Sequence, residues 1–257
     1  MKYIVVTDLD GTLLDHQTYE FAPALEGIHQ LQQLNIPLIL NSSKTQAEIL
    51  EVRRQLNNQE PFVCENGGLL CGIGEVQHLA TPRSHFLPDL AGIKARLKLK
   101  YQGFAEATIE DLVSWTGLRK EDAQKAMARE ATEPLLWQDS ESALTNFREA
   151  LVPLQLQCVK GGRFHHVMGF FNKASCFAQL KEYYAQIWQS EIGIIALGDS
   201  PNDLPMLEQA DYAVVIPNAK GDKLQLEQSS AYFASQLAPH GWQEGINFVL
   251  EHVISRA

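Results

Sequence analysis

Little in this chain points to a disulfide scaffold, a membrane segment or a nucleic-acid partner. Only four of its 257 residues are cysteine (Cys64, Cys71, Cys158, Cys176). None forms a C-x-x-C pair, and their apolar neighbours favour buried reduced thiols over disulfides or a zinc site. Basic residues are in the minority: 21 Lys and Arg against 31 Asp and Glu leave a formal net charge of −10, which argues against nucleic acid or an anionic membrane surface as partner. An anionic small molecule would need positive charge supplied locally. No apolar run approaches a membrane span, and Tyr3 to Val6 is too short for a signal-peptide core, so a cytoplasmic protein is expected. Low-complexity tracts, internal repeats and long linkers are also missing. With 45% apolar and 20% charged residues the chain can build a sizeable core, and its length suits one domain plus a smaller inserted or appended one.

What is there follows a strand–helix rhythm. Residues 3 to 7 form an apolar, β-branched run that stops at an Asp/Gly cluster and reads as a buried strand. A helix pattern from Pro23 to Leu34 follows, with Leu25, Ile28, Leu31 and Leu34 on one face. "IPLILNSSK" then reads as a strand, "TQAEILEVRRQL" as a helix and "PFVCENGG" as a third strand. The rhythm returns late, in the helix "KASCFAQLKEYYAQIW", the strand "IGIIALGDS", the short helix "NDLPMLEQA" and the strand "YAVVIPNA". This is the pattern of a mainly parallel sheet covered on both faces, an α/β, Rossmann-like core. Between residues 82 and 167 it changes. Helices at Asp89 to Lys98, Glu110 to Trp115, Glu121 to Glu130 and Glu141 to Leu151 alternate with "PLLWQ" and a hairpin turning at Gly161 and Gly162. Thr108 and Asp111 have capping-box spacing. The expected organisation is a core of residues 1–81 and 168–257 split by an α+β insertion, 82–167.

Ligands in such sheets sit beyond the carboxyl ends of the strands, where "DLDG", "NSSK" and "GDSPND" fall. In the first, Asp8 can attack an electrophilic phosphorus and hold the phosphoryl group as an acyl-phosphate. Two residues on, Asp10 can protonate the leaving oxygen and later deprotonate water. Carboxylates so close repel unless a cation sits between them, and Mg²⁺, which favours hard oxygen ligands and bridges carboxylates to phosphate, suits that place.

"DLDGTLLD" and "GDSPNDLPML", in that order and at strand ends, resemble the first and fourth motifs of the haloacid dehalogenase-like phosphatase superfamily. The resemblance implies Asp8 as nucleophile, Asp10 as acid/base, Mg²⁺ held by Asp8, the Asp10 backbone oxygen and Asp199, Asp203 orienting a metal-bound water, and Asn202 nearby. Ser42 or Ser43 would bind the phosphoryl oxygens, with Ser42 preferred, and either could instead cap the following helix. Lys173 would counter the aspartates and the transferring charge.

The sequence is similar, more narrowly, to mannosyl-3-phosphoglycerate phosphatases, through "NSSKT", "ENGG", "WTGL", "GGRF" and the Gly-Trp pair at 241 and 242. That family carries an α+β cap of the C2B type inserted after the third strand. It implies a phosphoric monoester hydrolase acting on a small anionic phosphosugar, 2-O-mannosyl-3-phosphoglycerate, to yield mannosylglycerate, a compatible solute. Arg163, Lys44, Ser43 and the loop of Glu65, Asn66 and Gly67 are then expected at the substrate, with His165 a further sugar contact. A phosphatase for glucosyl-3-phosphoglycerate or another phosphosugar, or a phosphomutase of the same superfamily, would use the same core aspartates. His165 and His166, adjacent on a strand, point to opposite faces.

Overall fold

The apolar run at the start of the chain is strand β1 (Lys2–Thr7) in a computed structural model that describes residues 1–256 apart from Gly162, Lys220, Asp222 and Lys223. The order continues with α1 (Leu25–Gln33), β2 (Leu38–Asn41), α2 (Gln46–Gln55), β3 (Phe62–Cys64), β4 (Leu69–Cys71) and β5 (Gln77–His78). Then come α3 (Arg83–Leu97), β6 (Tyr101–Gly103), α4 (Ile109–Thr116), α5 (Lys120–Met127), β7 (Thr132–Trp137), α6 (Glu141–Leu151), β8 (Leu156–Lys160) and β9 (His165–Gly169). The chain closes with α7 (Phe177–Trp188), β10 (Ile192–Gly198), α8 (Leu204–Gln209), β11 (Tyr212–Val215), β12 (Ala231–Phe233) and α9 (His240–His252).

The larger sheet runs β12-β11-β10-β1-β2-β3-β4-β5 and is parallel from β12 to β3. Alternation along β1 sends Val5 into an apolar layer with Ile28 of α1 and Trp242 of α9. Ile4 and Val6 go to the opposite layer, with Leu180 of α7 and Met206 of α8. Burial on both faces is why β1 and β10 read as continuous apolar runs. The strands advance from β1 to β2 on one side and return as β10 on the other, so the switch point of the sheet lies between β1 and β10.

The second sheet, β6-β7-β9-β8, is antiparallel throughout. Tyr101, Leu135 and Val167 bury one of its faces against Phe86 and Leu90 of α3 and Phe147 of α6. The other face turns to the core: Met168, paired with Thr132 across β7 and β9, packs with Ala131 and Phe171 in the core's own apolar layer. The fold is therefore α/β with a mainly parallel sheet and an inserted α+β unit. No helix among the described residues is long and apolar enough to cross a membrane.

Local differences from the sequence reading have physical causes. Helix α3 starts at Arg83 and runs through Pro88, which removes one helical hydrogen bond near the first turns and does not end the helix. Helix α5 stops at Met127, which releases Arg129 and Glu130 into an irregular segment before β7. Neither Ser42 nor Ser43 caps α2: Thr45 does, in a reciprocal capping box with Glu48. The Thr108 and Asp111 box is present at α4. Of the two glycines expected to turn the β8–β9 hairpin, Gly161 bonds back to Phe164, and Gly162 lies outside the described residues.

Candidate active site

Asp8 leaves the end of β1 and Asp199 the end of β10, on adjacent strands whose register pairs Thr7 with Leu197. The Asp8 N–H donates to the Leu197 carbonyl at 3.0 Å, tying the two strand ends together. Behind Asp8, the indole of Trp242 donates to Thr7 Oγ1 at 3.0 Å, and that hydroxyl donates to the Asp8 carbonyl at 2.8 Å. Gly11 has φ +84°, and a Cβ there would lie 2.8 Å from Asp199 Oδ2. The glycine of "DLDG" is thus required both by its backbone conformation and by its approach to the second aspartate.

Asp8, Asp199 and Asp203 are buried and place one carboxylate oxygen each within 4.8 Å of one another. Lys173, completely buried, puts Nζ 2.5 Å from both Asp8 Oδ1 and Asp203 Oδ1. Asp203 Oδ2 accepts from the backbone N–H groups of Asp199 and Ser200. Thr12, not foreseen from the sequence although it belongs to the same motif, donates to Asp199 Oδ1 at 3.1 Å and reaches Asp8 Oδ2 at 3.4 Å. Asp10 stands at the rim. Its Oδ2 meets Lys44 Nζ at 2.8 Å, and its Oδ1 is buried without a partner.

Three carboxylates around one ammonium leave an uncompensated negative charge in a buried place. Burial and the Asp203 carboxylate raise the Asp8 pKa, against the pull of Lys173. Burial and Asp203 push Asp199 up to about 7. For Lys173 burial acts downward, but the Asp203 and Asp8 carboxylates outweigh it and the ammonium is held charged. A small divalent cation fits such a donor set: the oxygens are hard, lie within 4.8 Å of one another, and outnumber the single positive charge of Lys173.

The pKa shifts carry a stability prediction. An aspartate raised from 3.8 to about 7 binds more protons folded than unfolded over that interval. Its favourable contribution is complete below the unfolded value and is lost as pH rises through the folded one. Thermal unfolding of ion-free protein should therefore show Mg²⁺ raising the Tm more at about pH 8 than at about pH 5. An increment independent of pH would contradict the placement of the ion among these carboxylates.

The remaining expected residues divide. Ser42 is buried and its Oγ accepts from the Lys44 N–H, while Ser43 is half-buried. Asn66 accepts at Oδ1 from Asn202 Nδ2 at 3.3 Å, which links the "ENGG" loop to the "GDSPND" loop. Gly67, at φ +97°, leaves no room for a side chain, since a Cβ would lie 1.9 Å from the Asn172 carbonyl oxygen. Glu65 does not face a substrate chamber. It is fully buried, and its two oxygens accept from the N–H groups of Glu130, Ala131 and Thr132 and from the Thr132 hydroxyl. A carboxylate saturated by four donors has no capacity left for sugar hydroxyls. Arg163 is exposed beside the hairpin turn, with no ion pair among the described residues. His165 packs edge-on against Trp137, on the helix-covered face of the second sheet. By alternation His166, not His165, faces the core, and burial together with Arg129 lowers its pKa to about 3, so it is neutral.

Fold and site together define an α/β enzyme core with a carboxylate centre at its switch point and an α+β unit inserted beside it. The sequence matches the haloacid dehalogenase-like hydrolase family over residues 5–80 and 120–225, well over half of the chain, and the protein belongs to that family. Among solved structures it is similar to a haloacid dehalogenase-like hydrolase from Bacteroides thetaiotaomicron, at 18% identity and TM-score 0.70 over 97% of this chain and 100% of that one. It is also similar to TM0651 from Thermotoga maritima, at 18% identity and TM-score 0.68 over 98% of each chain. A sugar phosphatase of subclass IIB aligns at 14% identity and TM-score 0.66 over 98% of each chain. At these identities the likeness is one of fold.

Proposed function

We propose that the protein is a Mg²⁺-dependent phosphomonoester hydrolase that works through an aspartyl-phosphate, with 2-O-mannosyl-3-phosphoglycerate as substrate and mannosylglycerate and phosphate as products. The observation that carries the chemistry is the trio Asp8, Asp199 and Asp203, with Lys173 bridging Asp8 and Asp203. Residues 1–81 and 168–257 are taken as the catalytic core and 82–167 as the cap. Asp8, Asp199 and the Asp10 backbone oxygen would hold Mg²⁺, with Asp203 behind them. The ion would neutralise the incoming phosphate and the carboxylates together.

Lys173 grips Asp8 Oδ1, which fixes the carboxylate plane and leaves Oδ2 with only the weak Thr12 contact. Oδ2 is the oxygen placed to attack phosphorus. Asp10, through its unpartnered Oδ1, gives a proton to the leaving alcohol, then takes one from the water that cleaves the acyl-phosphate. Ser42 and Lys44 flank the phosphoryl oxygens, and Asn66, Asn202, Ser43, Gly67 and Arg163 border the path of the substrate. A site this buried suits a small phosphosugar, and the "NSSKT", "ENGG", "WTGL" and "GGRF" similarities support the mannosyl substrate. A compatible solute acts inside the cell, so a cytoplasmic enzyme is the reading that goes with this product.

Release of inorganic phosphate from a panel of phosphate esters, with Mg²⁺ and with a chelator, tests this reading. Turnover is expected only with the ion and highest on mannosyl-3-phosphoglycerate. Equal turnover across the panel, or preference for the glucosyl ester, would remove the narrow substrate. A requirement for a sugar bisphosphate without net phosphate release would make the protein a mutase.

A further inference from the structure

The inserted unit meets the core at a seat in the middle of its own sequence, which folds back against both chain connections: the Arg83 N–H donates to the Glu130 carbonyl, and Thr132 pairs with Met168. Residues 125–132 supply one side. Thr45 Oγ1 donates to the Lys125 carbonyl at 2.8 Å. Arg129 Nη1 donates to the Ser43 carbonyl at 3.3 Å and to Thr132 Oγ1 at 2.8 Å. Glu65 takes the N–H groups of Glu130, Ala131 and Thr132 at 2.7, 3.2 and 2.8 Å and the Thr132 hydroxyl at 2.6 Å. The Arg129 guanidinium lies 3.9 Å from the Glu65 carboxylate.

The core side of the seat is the scaffolding of the site itself. Ser43 stands between Ser42 and Lys44, and Lys44 is the partner of Asp10. The Glu65 N–H donates to the Lys44 carbonyl at 2.9 Å and the Asn66 N–H to the Ser42 carbonyl at 3.0 Å, so the two loops are stitched together. Glu65 and Asn66 are both left-handed, at φ +52° and +60°; asparagine adopts this conformation readily, whereas glutamate holds it only where the surroundings favour it. Here those surroundings include the inserted unit.

We propose that Glu65 and Arg129 are positioning residues: docking of residues 125–132 onto Glu65 and the Ser43 carbonyl sets Ser42, Lys44 and Asn66 in place around Asp10. The core site is complete only when the cap is seated. This rests on the phosphatase reading of that site. A buried ion pair that served stability alone would be replaced by apolar residues at little loss, whereas here each partner also reaches across to the other unit's backbone. Arg129 Nε is buried without a partner in the seated state and regains water when the cap lifts, which keeps opening within reach. By linkage, a ligand bound in the core must favour the seated form as strongly as seating favours the ligand.

Two variants test the proposal, Glu65→Gln and Arg129→Met, each assayed with p-nitrophenyl phosphate and with a phosphosugar. Displacing loop residues near the reacting atoms should lower kcat about tenfold or more on both esters, with KM for the small ester nearly unchanged. Wild-type kcat on p-nitrophenyl phosphate, with only the phosphosugar KM raised, would overturn it, because the seat would then shape the substrate chamber alone. Asp8→Asn is run alongside: turnover surviving there would sink the phosphatase reading itself. Should the variants not fold, hydrogen exchange of the native protein decides. Amides of Glu130 to Thr132 should gain protection on addition of Mg²⁺ and orthovanadate, and exchange indifferent to the pair would overturn the coupling.

Discussion

Asp8→Asn is expected to lose turnover by at least about 10³-fold, the scale seen when a nucleophile is removed, while unfolding at the same temperature as the native protein or higher. The two halves of this result share one cause. An amide cannot form the acyl-phosphate, so the covalent route closes. The native Asp8 is also a charge held in a buried place beside two other carboxylates, with its pKa driven up by burial and by Asp203. Asparagine keeps the shape and removes the repulsion, and Lys173 retains Asp203 at 2.5 Å. Activity and stability move in opposite directions, as they do where a site is strained for its chemistry. Assay and melting curve on one preparation check both. A variant that lost activity only by unfolding would place Asp8 among structural residues, and a variant that stayed active would exclude the covalent step.

The core of this site was legible because its information is local. Asp8 and Asp199 each follow an apolar strand directly, with Asp10 and Asp203 in the turns that leave those strands, and a strand end in a parallel sheet already specifies which edge of the sheet it faces. Alternation placed His165 and His166 on opposite faces of β9, but only the pairing of Thr132 with Met168 shows which face meets the core. Glu65 is hard to place from its neighbours for the same reason. Its four donors lie 65 to 67 residues further along the chain, and nothing around "ENGG" announces them. The helix pattern of residues 121–130 includes Arg129, whose reach to Ser43 exists because α5 ends two residues earlier. Thr45, by contrast, carries its T-x-x-E capping signature in plain view, directly behind two serines that are equally good cap residues by type. Strands β4 and β5, three and two residues long, are too short for periodicity to mark them.

Lys173→Met should cost stability where Asp8→Asn does not, and the difference measures the charge balance of the centre. The native ammonium is entirely buried, shared between Asp8 and Asp203, and held charged by both. Methionine fills much of the same volume but leaves three facing carboxylates with no cation, and breaking a buried pair by removing one partner typically costs about 3–5 kcal/mol. That is a large part of the total for a domain of this kind, roughly 5–15 kcal/mol. The variant should melt far below the native protein in the presence of a chelator. Mg²⁺ should recover a greater share of the loss than it adds to the native protein, because the ion then supplies the only positive charge in the cluster. Turnover should fall by about 10²–10³-fold even in saturating Mg²⁺, since Asp8 would no longer be oriented and the transferring phosphoryl group would lose a fixed cation. Calorimetry of both variants with and without the ion separates these effects. Equal Mg²⁺ increments in native and Lys173→Met protein would mean that the ion and the ammonium answer to different carboxylates, and the single charge-balanced centre described here would have to be divided in two.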